Sequence, residues 1–233
     1  MKIKFYPLYF FCILAAGLLI VFVQGCGIIS ILGSEPESTK KIPAEFKFDV
    51  SKDKKDKKVL VLVNQPSWLN APPLLQQMIT EQIQKRLMLY AGLKNFNLIS
   101  YEALSQYRSG EENYSSMTAP QIGTALGADW VLLADLTDFK FGSIGESEYY
   151  SGSLSGHAFV IETANSEKLW PEDAENKKID VGFEASKDGP QGSLAHLAAA
   201  FAHCATRNFF DCPKSSFKIA EDRIASSLNE WGN

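Results

Sequence analysis

The hydrophobic pattern begins with an uncharged apolar run from Phe5 to Val23, which follows Lys2 and Lys4. A basic start followed by an apolar stretch is typical of a secretory signal peptide. The run is also long enough to cross a bilayer, so a retained transmembrane anchor is the alternative. The pattern therefore predicts an exported chain, with an anchor as the second interpretation.

The residues from Gly33 to Lys58 show no hydrophobic periodicity and are rich in Ser, Glu, Pro and Lys. Such a segment cannot bury enough apolar surface to fold and is typical of a flexible linker. We therefore expect residues 26–57 to form a tether and residues 58–233 to form one globular domain.

In the first half of this domain, the unbroken aliphatic run Val59–Val63 predicts a strand buried on both faces. A helix capped by Asn70 should follow, because Leu75, Ile79, Ile83 and Leu87 recur at helical spacing up to Gly92. The other predicted elements are a strand at Phe96–Ser100, a short helix at Glu102–Tyr107, a helix begun by a capping box at Thr118 and Gln121, and a strand from Trp130 to Phe139.

The second half contains a Gly- and Ser-rich stretch, Gly142–Gly156, which is expected to be flexible. The pattern then predicts a hairpin that turns after Thr163, an alternating strand from Ile179 to Ala185, a long helix opened by Pro190 and a last amphipathic helix at Ser215–Leu228. The order of elements predicts a single α/β domain, with a mixed sheet of about five strands and helices on both faces.

Charge and composition narrow the class of function. The net charge is −4, and it becomes −6 when Lys2 and Lys4 leave with the signal peptide. An acidic domain is not expected to bind nucleic acid.

No catalytic motif is found in the sequence. Gly152–Gly156 has Leu154 where a nucleophile elbow needs Ser, and no phosphate-binding glycine loop occurs. His157 and the carboxylates Asp135, Asp138, Glu146 and Glu148 are the acid–base candidates, and nothing in the sequence fixes them against one another. We expect no enzyme activity and no cofactor.

A metal site is also not expected. His196 and His203 are seven residues apart beside Arg207, whereas helical metal sites use ligands at i and i+4. This spacing favours a polar helix face. Cys204 and Cys212 are the thiols of the mature domain, and they form either a disulfide, if the helix ends between them, or two reduced thiols.

Aromatic residues in or beside the predicted loops are candidates for a protein interface, since exposed aromatic side chains often anchor such contacts. The alternative is partial burial under the loops. The candidates are Trp68, Tyr107, Tyr114, Tyr149 and Tyr150.

Val23-Gln24-Gly25-Cys26 resembles the bacterial lipobox. The resemblance implies cleavage after residue 25, so that residues 1–25 are the signal peptide, and attachment of lipid, including palmitate, to Cys26. Residue 27 is Gly rather than the Asp that retains some lipoproteins at the inner membrane, which favours the outer membrane.

Three further segments, Lys58–Val63, Leu98–Tyr101 and Leu126–Leu132, together with Glu167–Trp170, resemble a group of bacterial envelope lipoproteins. The group is distantly similar to the curli-secretion subunit, the N-terminal domain of the translocation protein TolB and lipoprotein activators of penicillin-binding proteins. This resemblance implies a periplasm-facing, non-enzymatic adaptor or accessory protein in envelope assembly or transport, with an envelope protein as partner. An oligomeric export component, and hence a homo-oligomer, and an envelope-polymer hydrolase using His157 are the alternatives.

Overall fold

The structure is a computed structural model that describes residues 41–50, 56–172 and 176–213. The chain divides into two units, Met1–Lys41 and Ile42–Asn233. The second unit is the α/β domain that the sequence predicts, and it contains the whole mixed sheet.

Five strands form this sheet, and the structure also has two strands of two residues each. Strand β2 is parallel to β3, β3 is antiparallel to β4, and β4 pairs antiparallel with both β5 and β6 along its other edge. The strands are β1 (Lys41–Ile42), β2 (Val59–Asn64), β3 (Trp130–Ser143), β4 (Tyr150–Glu162), β5 (Lys168–Trp170), β6 (Lys177–Ser186) and β7 (Cys212–Pro213).

Helices cover both faces of the sheet, as predicted. The helices are α1 (Pro73–Tyr90), α2 (Tyr101–Gly110), α3 (Ala119–Ala125) and α4 (Gly189–Thr206). On the first face, α1 and α4 bury the larger core against Val59, Val61 and Val63. On the second face, α2 and α3 pack against Leu60 and Leu62. The unbroken aliphatic run of β2 thus reflects burial on both sides.

The expected strand at Phe96–Ser100 is wrong. Residues Asn95–Asn97 form a 3-10 turn, and only Leu98 makes a single parallel bridge to Val59. The side chain of Asn97 donates to the carbonyl of Lys57 at 3.0 Å, so a side chain takes the place of a longer strand pairing. Asn70 does not cap α1 either; it ends a preceding 3-10 turn, and Pro72 occupies the N-cap of α1.

The expectation that Gly142–Gly156 is flexible is also wrong, because β4 begins at Tyr150 and the chain between the strands is short. Two glycines in β4 make room for aromatic rings. A Cβ at Gly152 would lie 3.1 Å from the ring of Phe141, and one at Gly156 would lie 3.1 Å from the ring of Phe201. Glycine here serves close packing within a strand rather than flexibility.

The predicted tether is too long at its C-terminal end. Phe48 is buried in the larger core, and Phe46 and Val50 pack against it. The backbone N–H groups of Glu45 and Phe46 donate to the carbonyl of Asn208 at 2.8 and 3.1 Å. The Phe-x-Phe pair supplies enough apolar surface to hold this segment on the domain, so the folded part begins before residue 58.

Several predictions lie outside the described residues: the signal peptide at 1–25, Cys26, the tether up to residue 40 and the last helix at Ser215–Leu228. Within the ranges that the structure describes, no helix is both long enough and apolar enough to cross a membrane.

Candidate functional site

The most distinctive surface is a β-hairpin that extends beyond the edge strand β2. Strand β2 stops pairing at Asn64, opposite Asp135, whereas β3 continues to Ser143 and pairs with β4 along its whole length. The hairpin therefore leaves the outer edge of β3 without the β2 partner for its last eight residues.

A bulge sets which side chains this hairpin presents. The β3–β4 register shifts between Leu136 and Asp138, which brings Phe139 and Phe141 onto the first face, opposite Leu154 and Gly152. A β-bulge has this effect because one extra residue reverses the alternation of the strand. The first face thus continues along the hairpin.

Aromatic rings line this continuation. The centroids of Phe139 and Phe141 are 6.3 Å apart, those of Phe141 and Tyr150 are 5.7 Å apart, and both pairs are stacked. At the tip, Ile144 and Tyr149 are 42% and 39% exposed. We refer to Phe139, Phe141, Ile144, Tyr149 and Tyr150 as the hairpin patch.

The predicted interface residues lie in three separate parts of the structure. Tyr149 and Tyr150 belong to the hairpin patch. Tyr107 and Tyr114 form an edge-to-face pair with centroids 6.2 Å apart, beside α2. Trp68 lies in a separate 3-10 turn and is 66% exposed.

The sequence reasoning missed Phe139 and Phe141. Their alternation with Asp138 and Lys140 was the available signal, since period-2 alternation marks a strand with one solvated face.

A second candidate surface, with mixed polar and apolar lining, lies at the C-terminal end of α1. A cavity of about 480 Å³ is lined there by Leu89, Tyr90 and Phe210, together with Phe48 and Phe209. The rings of Tyr90 and Phe210 are stacked with their centroids 5.0 Å apart, and Leu89 is 62% exposed.

Two of the acid–base candidates, Asp135 and His157, lie in a polar row across the second face of the sheet, whereas Glu146 and Glu148 are exposed in the loop between β3 and β4. Register places Asn64 opposite Asp135, Asp135 opposite His157, and His157 opposite Lys178. His157 is half-buried, as expected for a residue between two strands. The amide of Asn64 donates to Asp135 at 2.6 Å, so this carboxylate has a structural partner.

The neighbouring carboxylates of Asp180 and Asp138 also have hydrogen-bond or ion-pair partners. Burial raises the pKa of Asp180, but hydrogen bonds from Ser155 and Lys178 outweigh it and hold the pKa below its ordinary value. Asp138 forms an ion pair with Lys140 at 3.6 Å. In the described part of the chain, no group of three His, Cys, Asp or Glu residues could hold a metal ion. We therefore interpret this polar row as the solvated face of the sheet.

The polar helix face predicted on α4 is correct for His196 and wrong for His203. His196 is exposed and lies 3.7 Å from Asp188, whereas His203 is buried between α1 and α4. There the guanidinium of Arg86 donates to Nδ1 of His203 and, at 3.2 Å, to Oγ1 of Thr206. Helix packing, which the sequence does not show, buries the imidazole.

Burial and the positive charges of Arg86 and Arg207 lower the pKa of His203 from 6.5 to about 4. The unfolded chain therefore takes up a proton below pH 6.5 that the folded chain takes up only near pH 4. Stability from this residue is complete above pH 6.5 and is lost as the pH falls towards 4, by about 3 kcal/mol.

We expect His203→Asn to reduce the loss of unfolding free energy between pH 7 and pH 4.5, because Asn can still accept from Arg86 but cannot titrate. Urea unfolding at the two pH values measures this difference. His196→Asn is the exposed control and should keep the wild-type difference. An unchanged difference in His203→Asn would contradict the assignment.

Of the alternatives for Cys204 and Cys212, the structure shows two buried thiols that are not joined by a disulfide. Burial raises the pKa of the Cys212 thiol, more than offsetting the nearby charges of Arg86 and Arg207. A thiol with a raised pKa holds little thiolate and is a weak nucleophile.

No family model matches the chain. No curated protein matches it either.

Solved bacterial structures do resemble the fold. Lipoprotein GNA1162 from Neisseria meningitidis is 17% identical, with 62% of this chain and 94% of that chain covered and a TM-score of 0.41. The PelC dodecamer from Paraburkholderia phytofirmans is 9% identical, with 75% and 97% covered and a TM-score of 0.36. The LpoB C-terminal domain from Salmonella enterica is 15% identical, with 66% and 91% covered and a TM-score of 0.31.

Proposed function

We propose that this chain is a lipid-anchored envelope protein that works as a non-enzymatic adaptor, by docking its hairpin patch on an envelope protein. The anchor is lipid on Cys26, and the domain faces the periplasm. The chain fits an accessory role in envelope assembly or transport.

The hairpin patch is the observation that supports this role. Stacked rings on a paired, rigid ribbon offer contact area with little conformational entropy left to lose, which is how aromatic side chains contribute to interfaces. The patch also continues the first face of the sheet, so the larger core holds the rings of Phe139 and Phe141 from one side.

The polar row supports a hydrolase less well than the hairpin patch supports an adaptor. His157 has Asp135 across the strand pair, yet Asp135 already accepts from Asn64 and the described row contains no hydroxyl activated by the imidazole. The adaptor role is therefore the better supported proposal.

The experiment is in-cell crosslinking of the tagged, lipidated chain in its own envelope, with captured proteins identified by mass spectrometry. Wild type should capture one dominant envelope protein. Ile144→Ser with Tyr149→Ser should reduce this capture about tenfold or more, because truncating the centre of an interface commonly costs above 1 kcal/mol for each residue.

Leu89→Ser is the matched control, since it removes an exposed apolar side chain at the cavity rather than at the hairpin. It should capture the partner as wild type does. Palmitate labelling must remain in all these variants and disappear in Cys26→Ala. Loss of capture in Leu89→Ser but not in the hairpin variant would move the docking surface to the cavity, and capture of no envelope protein by wild type would refute the adaptor role.

A further inference from the structure

Among the strands that the structure describes, β6 lies at an edge of the sheet. It pairs with β4 from Lys177 to Ser186, and within the described ranges no strand pairs with its other edge. Gly182, Glu184 and Ala185 are exposed along it. An open edge presents unpaired N–H and C=O groups, which another strand can satisfy.

The side chains of β6 alternate between the two faces of the sheet. Ile179 and Val181 are buried on the first face, with Phe183 packed beside them. Lys178 and Asp180 point to the opposite face, where their side chains form an ion pair at 2.9 Å. Any strand that joins this edge must match both faces, because a one-residue slip exchanges them.

We propose that β6 pairs with β6 of a second copy of this chain, as an antiparallel two-fold pair centred on Val181. The interaction uses the sheet edge rather than the hairpin patch, so it does not rest on the proposed adaptor role.

Charge complementarity favours this register over the two adjacent ones. With Val181 opposite Val181 of the second copy, Ile179 lies opposite Phe183 and apolar side chains meet on the first face. On the other face Lys178 lies opposite Glu184 of the second copy, and two-fold symmetry produces this pair twice. Opposite charges directly across an antiparallel pair are stabilising, and like charges are destabilising.

A shift of this register by one pairing step in either direction still matches the faces of the two sheets. Each shift, however, places like charges opposite one another. A shift in one direction puts Asp180 opposite Asp180 of the second copy, and a shift in the other puts Asp180 opposite Glu184. The pairing of β6 with β4 is irregular between Phe183 and Ser186, so the paired stretch ends close to Glu184. The interface is therefore short. Confinement of lipid-anchored copies to one membrane would raise their effective concentration and so favour a weak pairing.

Charge reversal tests the pairing on the full lipidated chain in detergent, with oligomeric state measured by analytical ultracentrifugation. Wild type should dimerise. Lys178→Glu and Glu184→Lys should each weaken the dimer about tenfold, because each places like charges opposite one another twice. The double variant, with both charges reversed, should recover wild-type affinity, a result that misfolding cannot produce.

Disulfide crosslinking tests the register. A chain carrying both Lys178→Cys and Glu184→Cys should form a covalent dimer on oxidation; within one chain these positions are about 20 Å apart and cannot bridge. Asp180→Cys alone should not crosslink, since in this register it faces Gly182. A wild type that stays monomeric at every concentration, a dimer unaffected by the single reversals, or crosslinking through Asp180→Cys would each overturn the proposal.

Discussion

Phe209→Ala is expected to lower the free energy of unfolding by about 3–5 kcal/mol, the range for removing a fully buried phenylalanine ring. Phe209 is 2% exposed, and its ring centroid lies 5.1 Å from that of Phe48 and 4.9 Å from that of Trp170. The ring joins the segment before β2 to the hairpin formed by β4 and β5. Its loss leaves a cavity between parts of the chain that are far apart in sequence.

Urea denaturation of the full chain measures this loss. Phe96→Ala is the matched control, because Phe96 is 52% exposed and its truncation should change the free energy by less than about 0.5 kcal/mol. Because small domains are stable by only about 5–15 kcal/mol, the Phe209→Ala variant should keep a small free energy of unfolding and unfold at a clearly lower urea concentration. A loss below 1 kcal/mol would mean that residues 46–48 do not pack on Phe209.

Gly156→Ala is expected to destabilise the domain by about 2–4 kcal/mol, although it adds only one methyl group. Its Cβ would lie 2.5 Å from the backbone oxygen of Asp135 and 3.1 Å from the ring of Phe201. The first contact is with the neighbouring strand, which cannot rotate away as a side chain could. Either β3 and β4 separate locally or α4 shifts outward.

Gly142→Ala is the control in the same hairpin, since no atom lies within 4 Å of a Cβ at that position. It should be neutral or slightly stabilising, because alanine restricts the unfolded chain. Thermal unfolding of the two variants separates these outcomes. Equal melting temperatures would show that β4 does not approach β3 and α4 as closely as the structure has it.

Local patterns predicted the elements whose burial follows a simple period. The i+4 repeat from Leu75 to Leu87 is buried in α1, and the aliphatic run of β2 lies at the centre of the sheet. The capping box was also correct, since the backbone N–H of Thr118 donates to Gln121 at 2.8 Å. In each case the signal and the structure it produces lie within a few residues of one another.

Predictions failed where packing depends on residues that are far apart in the sequence. Glycines in β4 suggested flexibility, but rings from β3, β6 and α4 occupy the space that they leave. Phe46 and Phe48 sit in a polar segment, and their burial depends on Phe209. His203 was predicted to lie on a polar helix face, but packing of α1 buries it beside Arg86.

By itself the sequence determined the α/β order of elements, the buried faces of β2 and α1, and the absence of a recognisable catalytic motif. These follow from hydrophobic period and residue type, which act locally. Only the tertiary structure decided the bulge that forms the hairpin patch, the buried pairing of Arg86 with His203 and the place of β6 at the edge of the described sheet. Those features depend on strand register and helix packing, which are set by contacts between residues far apart in the chain.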